Sequence, residues 1–361
     1  MKFSIQKESL LKALTIASKA IPQKASTPIL ETFRISDFGP VLEVMATDGD
    51  MIITSIAPCN TEEEGAACIN AKTILEIARL CPDGELTIES EGVTAKVSWS
   101  GGHSSIPTSD VKDFPDISSE IDGEVTEINA ATFKTALSHV IPHVATDILR
   151  PQLTGVHFNP TESGIDVVAS DSHTICVYPI EGHLEAPVTI PAKCAAVARD
   201  AADGLEYVRV YKSKNGVSFE CGQDTITARE IIGKFPAYNK IIPTANENVL
   251  TSDKRELLST LRLVSVCSNK ASNHIRLDLS GLMSKVSAQD LGFGTSATDD
   301  LTAEYSGEEM AIGFRHDLLT KSISCLDGDK VSIQLDKPNK AVLISADGDP
   351  SQVVVMPVAI K

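Results

Sequence analysis

Aromatic residues make up only 4% of this 361-residue chain, and Trp99 is the single tryptophan. A groove lined with aromatic rings for sugars or stacked bases is therefore not expected. No apolar run approaches the ~18–20 residues of a membrane span, so no membrane partner is expected. Met1-Lys2-Phe3-Ser4-Ile5 leads straight into an amphipathic pattern. It lacks the apolar block and small-residue cleavage site of a secretory leader, which points to a cytoplasmic location. The eight cysteines, at 59, 68, 81, 176, 194, 221, 267 and 325, form no CxxC pair. A chain of this size needs no disulfide staples, so they read as reduced core or helix residues. GxSxG, GxxxxGK[ST], HExxH and GxGxxG are all missing. His139 and His143 have the i, i+4 spacing of metal ligands, but no Glu-x-x-His or cysteine pattern lies beside them. The expectation is a non-enzymatic scaffold with no catalytic residue, no metal and no cofactor.

What is present is globular: 42% apolar and 22% charged residues. At ~100–200 residues per domain, the length suggests two or three domains. A repeat decides the number. Three times a helical stretch runs into Asp-Gly and then an alternating strand: Asp83-Gly84, Asp203-Gly204 and Asp327-Gly328. Glycine is expected just past a helix end because it takes positive φ cheaply. Met45-Ala46-Thr47-Asp48-Gly49 matches Val168-Ala169-Ser170-Asp171-Ser172, and Ser287-Ala288-Gln289-Asp290 is a worn third copy. Asp113-Phe114-Pro115 matches Lys234-Phe235-Pro236. A longer helix opens each unit near Lys7, Ala130 and Asp253. The fold class is thus α+β, with three repeated domains near 1–122, 123–247 and 248–361. Each has two helices packed on antiparallel strands. The stretches 118–126 and 243–250 suit linkers.

The net charge of −17 argues against a polyanionic partner only if it is evenly spread. Helices are expected at 7–24, 70–80, 129–146, 191–203, 253–270 and 315–326. They hold 15 of the 32 lysines and arginines but only 7 of the 49 acidic residues. The helices thus carry +8 and the remainder −25. In the first helix Leu10, Leu14, Ala17 and Ile21 form one stripe, with Lys12 and Lys19 opposite. In the fifth, Leu257, Leu261 and Val264 oppose Arg255 and Arg262. In the third, Phe133, Leu137, Val140 and Val144 face inward, with Lys134, His139 and His143 on the flanks, and Pro142 is expected to kink or end the helix. Basic faces on equivalent helices of an acidic protein read as one surface for a polyanion. Lysine and arginine neutralise phosphates without reading base sequence.

Further motifs stand in order along the whole chain: Met1-Lys2-Phe3 before Leu10-Leu11, Thr27-Pro28-Ile29-Leu30, Ala46-Thr47-Asp48, and Val168-Ala169-Ser170-Asp171-Ser172-His173. Then come Gly233-Lys234-Phe235-Pro236-Ala237-Tyr238, Ile312-Gly313-Phe314 and Val354-Val355-Met356-Pro357. With them the chain resembles the bacterial replicative sliding clamps, the beta subunits of DNA polymerase III. The resemblance implies three clamp-type domains per chain and a head-to-tail homodimeric ring around duplex DNA, bound without sequence preference. It implies a processivity factor that tethers the replicative polymerase. Lys24, Lys72 and Lys193 match basic DNA-facing positions, and Arg150 lies in a loop near DNA or the partner cleft. The edge at Ser104, Ser105 and Ile106 would meet the face at Val266 and Cys267 of the other copy. Short peptides of polymerase and clamp-loader subunits would dock between the second and third domains. The matching residues are Leu153, Ser170, His173, Thr174, Ile175, Pro236, Ile241, Val354, Met356, Pro357 and Val358. Two departures bear on that cleft: Gly-His-Arg-Leu reads Ser172-His173-Thr174-Ile175, and Met-Pro-Met-Arg-Leu becomes Met356-Pro357-Val358-Ala359-Ile360-Lys361. The competing readings are a repeat-built scaffold for acidic ligands or proteins without a ring, and an enzyme with its site between repeats.

Overall fold

The computed structural model describes residues 1–115, 125–213 and 216–360. Among the described residues six α-helices recur in pairs: α1 (Lys7–Ala17) with α2 (Ala71–Leu80), α3 (Ala130–Val140) with α4 (Ala192–Ala201), and α5 (Lys254–Ser265) with α6 (His316–Ser324). Polar caps set several starts. Asn70 accepts from Thr73 N at 3.0 Å, Asn129 from Thr132 N at 3.1 Å, and Asp253 from Glu256 N at 3.0 Å. Past α2, α4 and α6, Gly84, Gly204 and Gly328 all have positive φ (129°, 74° and 99°), as the Asp-Gly repeat requires.

The helices are shorter than the apolar pattern suggests. The first was expected to reach residue 24, but α1 stops at Ala17 and a 3-10 turn at Ser18–Ala20 follows. Pro22 forces Ile21 into extended backbone (ψ 125°), which ends the helix. In α3 the same role falls to Pro142, inside the 3-10 turn Ile141–His143. His139 and His143, expected on the flanks, are 2% and 0% exposed. The linker at 243–250 is also more ordered than its composition implies. Asn246 Nδ2 donates to Gln334 O and Ala341 O, and a strand begins at Asn248. Most of the other linker, residues 118–124, lies outside the described residues.

The chain folds as two compact units, Met1–Lys134 with Lys193–Glu230 and Thr135–Ala192 with Ile231–Lys361. Among the described residues the first is built on one thirteen-stranded sheet, the second on a nine-stranded and a four-stranded sheet. The pairings are antiparallel. Strand alternation places Leu86 and Ile88, then Ala95 and Val97, in the core of the first unit. Phe133 packs at a tilt against Phe219 there, centroids 5.5 Å apart. Each unit contains a seam between repeats. In the first, Asp224–Arg229 pairs with Met51–Pro58, Ile226 opposite Ile53. In the second, Gln352–Val355 pairs with Thr174–Ile180, Val354 opposite Ile175.

Candidate functional sites: exposed basic positions and an apolar cleft

In the first unit, Lys12, Lys24, Lys72 and Arg79 are exposed and make no ion pair among the described residues. Arg255 and Arg262 on α5 are the same in the second unit. Lys24 lies in the loop after α1, and Lys72 in the first turn of α2. Lys193, in the first turn of α4, is partly committed: its Nζ is 2.7 Å from Asp48 Oδ2, and 47% of its side chain is open. Lys19 pairs with Asp200 at 3.1 Å. Arg150 is exposed and donates to Ser172 Oγ at 2.8 Å. The position equivalent to Lys72 and Lys193 in α6 is Asp317, whose Oδ2 is 2.6 Å from Arg315. The third repeat therefore lacks this cation.

The cleft residues gather in the second unit. Leu153, Ile175 and Val354 form one cluster with Val168, Val177, Phe235, Tyr238 and Leu343. Tyr238 is locked by donating to Asp166 Oδ2 at 2.6 Å while accepting from Asn159 Nδ2 at 3.0 Å. His157 stacks on Phe235 with centroids 4.4 Å apart, and burial pushes its imidazole down to about 4. Around this base Pro236, Ile241 and Met356 are exposed, and Met356 N donates to His173 O at 2.9 Å. Thr174 and Val358 are held by hydrogen bonds within the fold. Thr174 is fully buried, its hydroxyl donating to Asp171 Oδ1 at 3.0 Å, so it supports the wall from within. Val358 is tied to another strand, its N–H donating to Gly313 O at 2.8 Å. A Cβ on Gly313 would lie 2.8 Å from Val358 O, so only glycine lets the tail approach. Leu153 and Val354 are likewise core (3% and 1% exposed) and shape the cleft from beneath.

The turns before the seams share one design. Asp48 Oδ1 accepts from Asp50 N and Met51 N, and Asp171 Oδ1 from His173 N and Thr174 N. Asp48 and Asp171 thus cap their own turns, as aspartates at strand ends do. Each then holds a lysine of the next repeat: Lys193 on Asp48, and Lys321 on Asp171 at 2.6 Å. Burial raises the Asp171 pKa, but Lys321 and the two amides outweigh it and hold the carboxyl below its usual range.

His139 and His143 do not share a site. His139 Nε2 meets Asp349 Oδ2 at 2.9 Å, whereas His143 faces Cys176 and Cys325. Separations of 33 and 182 residues hid that grouping from any local motif.

The expected dimer edge is the strand Gly102–Ser109. Among the described residues, beyond its neighbour Thr94–Trp99 it pairs only at Thr108 and Ser109, which leaves residues 102–107 open on one side. Ile106 itself is buried in its own unit, so at this edge it can offer backbone only. In the second unit Leu263 and Val266 are 62% and 69% exposed, and Cys267 is half-buried.

Tandem α+β repeats that share sheets across their seams define a clamp-type architecture. Residues 1–118, 127–237 and 239–359 match the N-terminal, central and C-terminal domains of the DNA polymerase III beta subunit. The beta sliding clamps of Synechococcus elongatus and Salmonella typhimurium are each 26% identical to this chain. All of both chains is covered in the first case and 99% of each in the second. The DNA polymerase III subunit beta of Pseudomonas aeruginosa has the same fold, with a TM-score of 0.95 at 21% identity over the whole of both chains. The chain belongs to the DNA polymerase III beta subunit family, whose members are non-catalytic sliding clamps of DNA replication. Its role is accordingly that of a DNA sliding clamp rather than of a ring-less scaffold or an enzyme.

Proposed function

We propose that two copies close head to tail into a ring, and that the repeats near 1–122, 123–247 and 248–361 are its domains. The carrying observation is an unmatched seam. Met51–Pro58 and Thr174–Ile180 each receive a strand from the next repeat. Their third counterpart, Thr295–Leu301, pairs only with Ser284–Asp290 among the described residues. The strand it lacks has a counterpart in Gly102–Ser109, which sits one repeat before Asp224–Arg229 and is open over 102–107. One chain cannot close both edges on itself and still present equivalent seams, but two chains can, each giving one edge to the other. Such a contact uses two different surfaces and closes by rotation. It also covers strand edges that would otherwise invite aggregation. Val266 and Cys267 lie at the end of α5, which packs against the strand Thr295–Leu301.

In this reading Lys24, Lys72, Arg150 and Lys193 lie toward DNA. Flexible cations on phosphates allow sliding, whereas base contacts worth ~1–3 kcal/mol each would pin the ring. Retention comes from topology. The cleft of the second unit takes short apolar peptides of polymerase and clamp-loader subunits, with Met356 as its adaptable edge. The working compartment is the cytoplasm. Among the described residues, no helix is long and apolar enough to cross a membrane.

Sedimentation equilibrium should give a particle near twice 38.5 kDa. After loading, the protein should stay on closed circular DNA and leave on linearisation. A strict monomer at micromolar concentration, or equal retention on both DNA forms, would refute the ring.

A further inference from the structure

His143, Cys176 and Cys325 come from three separate elements: the 3-10 turn after α3, the strand Thr174–Ile180 and the C-terminal end of α6. Nothing in the clamp role uses them. Each offers one ligand atom, and the three atoms lie within 4.8 Å of one another. Cys325 Sγ is 3.5 Å from His143 Nε2. A tetrahedral zinc ion with bonds of ~2.3 Å to sulfur and ~2.0 Å to nitrogen holds those two ligand atoms about 3.5 Å apart.

The surrounding hydrogen bonds orient the imidazole for this task. Thr174 Oγ1 donates to Asp171 Oδ1, so at 2.9 Å it accepts from His143 Nδ1. The proton therefore sits on Nδ1, and the Nε2 lone pair faces the sulfurs. Asp171 is itself anchored by Lys321. Metal-bound histidines are characteristically held by such an outer chain of partners. His143 and Cys176 are buried, whereas Cys325 is partly open and gives an ion a way in. His139 stays outside the group, its ring nitrogens committed to Thr135 O and Asp349.

We propose that His143, Cys176 and Cys325 form a zinc site, with water completing the tetrahedron on the Cys325 side. Binding converts two thiols to thiolates and releases two protons, so the dication and its two thiolates form a neutral centre. Two thiolates and an imidazole favour zinc over hard cations such as magnesium. The ion staples the end of α6 to the strand Thr174–Ile180, which pairs with Gln352–Val355 beneath the cleft. Metal occupancy therefore stiffens the base of the cleft.

The full-length protein, reduced and stripped with chelator, is titrated with cobalt(II) and then zinc. The expected result is one cobalt per chain, with thiolate-to-metal charge transfer and the intense visible bands of tetrahedral cobalt, all displaced by zinc. Cys325→Ala and Cys176→Ala should each abolish the charge-transfer band, and Cys267→Ser should keep it. Zinc should raise the melting temperature of the parent protein but not of Cys325→Ala. Circular dichroism of the metal-free variants reports folding. Should Cys176→Ala fail to fold, Cys325→Ser at the partly open position decides alone. A parent protein with all eight thiols reduced that gives no thiolate band overturns the proposal, as does a band that survives loss of Cys325.

Discussion

The two units solve one problem, joining a repeat to the next, with one set of parts and different firmness. In both, a capped aspartate turn precedes the receiving strand, and a lysine from the following repeat seals it. In the first unit that lysine is Lys193, nearly half exposed and available for other anions. In the second it is Lys321, one turn further along its helix, with side-chain exposures of 25% for the lysine and 16% for Asp171. The turn residues differ as well: Gly49 has φ 99°, while Ser172 accepts a left-handed φ of 75°. Where no repeat follows in the chain, the seal is made locally. Asp290 Oδ1 caps Gly292 N and Phe293 N, and its Oδ2 takes Asn269 Nδ2 at 3.1 Å. The difference teaches that the lysine belongs to the seam and not to the turn. The last repeat, whose turn meets no lysine of a following repeat, uses the neutral amide of Asn269 in its place.

The largest effect should separate the units by function. Removing residues 356–361 should weaken binding of a labelled polymerase-derived peptide at least tenfold, about 1.4 kcal/mol, with dimer mass unchanged. Fluorescence anisotropy checks it, and unchanged affinity would refute the cleft. The cut must fall after Val355, because Val355 is 1% exposed and pairs with both Thr174 and Val342.

Acid should loosen the second unit first. His157 stays neutral to about 4 when folded but takes a proton near 6.5 when unfolded. As pH falls across that window, about 3 kcal/mol is lost. Asp171 and Asp349 are held below the usual carboxylate range, so their contribution, present above pH ~3.9, is lost as pH falls further. His139 is lowered by burial but raised more by Asp349 and Thr135 O, so its share persists in acid and is lost as pH rises through its folded value. In the first unit burial raises Glu43 and Asp224, which therefore gain as pH falls. Hydrogen exchange near about pH 4.5 should show the second unit opening first. Simultaneous opening would erase this contrast.

A smaller effect tests the seals directly. Lys321→Ala should cost about 2 kcal/mol by leaving the partly buried Asp171 charge without its cation. Lys193→Ala should cost less than about 1 kcal/mol. Denaturant melts followed by exchange would read the pair, and equal costs would contradict the ranking. The smallest effect concerns the turns. Gly49→Ser should lose about 1 kcal/mol from backbone strain alone, since a Cβ there meets nothing within 4 Å. Ser172→Gly should gain slightly less, because it also frees Arg150. Urea midpoints of the two variants should move in opposite directions.

Much of this was legible in the chain. The Asp-Gly steps located three helix ends and their positive-φ glycines, and the strand alternation followed. Pro142 marks the kink or end of the third helix in the sequence itself, and weighing Pro22 in the same way would have shortened the first. The buried histidines were harder. An i, i+4 pair carries no sign of which side of a helix the neighbouring repeat will cover. Thr174 and Val358 were placed in the cleft by position along the chain, whereas their hydrogen bonds turn one inward and carry the other to a different strand.

Local chemistry along the chain determined the repeat, the helix faces and the capped turns, because these depend on residues a few positions apart. Folding in three dimensions decided which strands complete each seam, which lysine meets which aspartate, and that His143 meets Cys176 and Cys325. Those partners lie 33 to 182 residues apart, and only the packing of the helices and sheets brings them together.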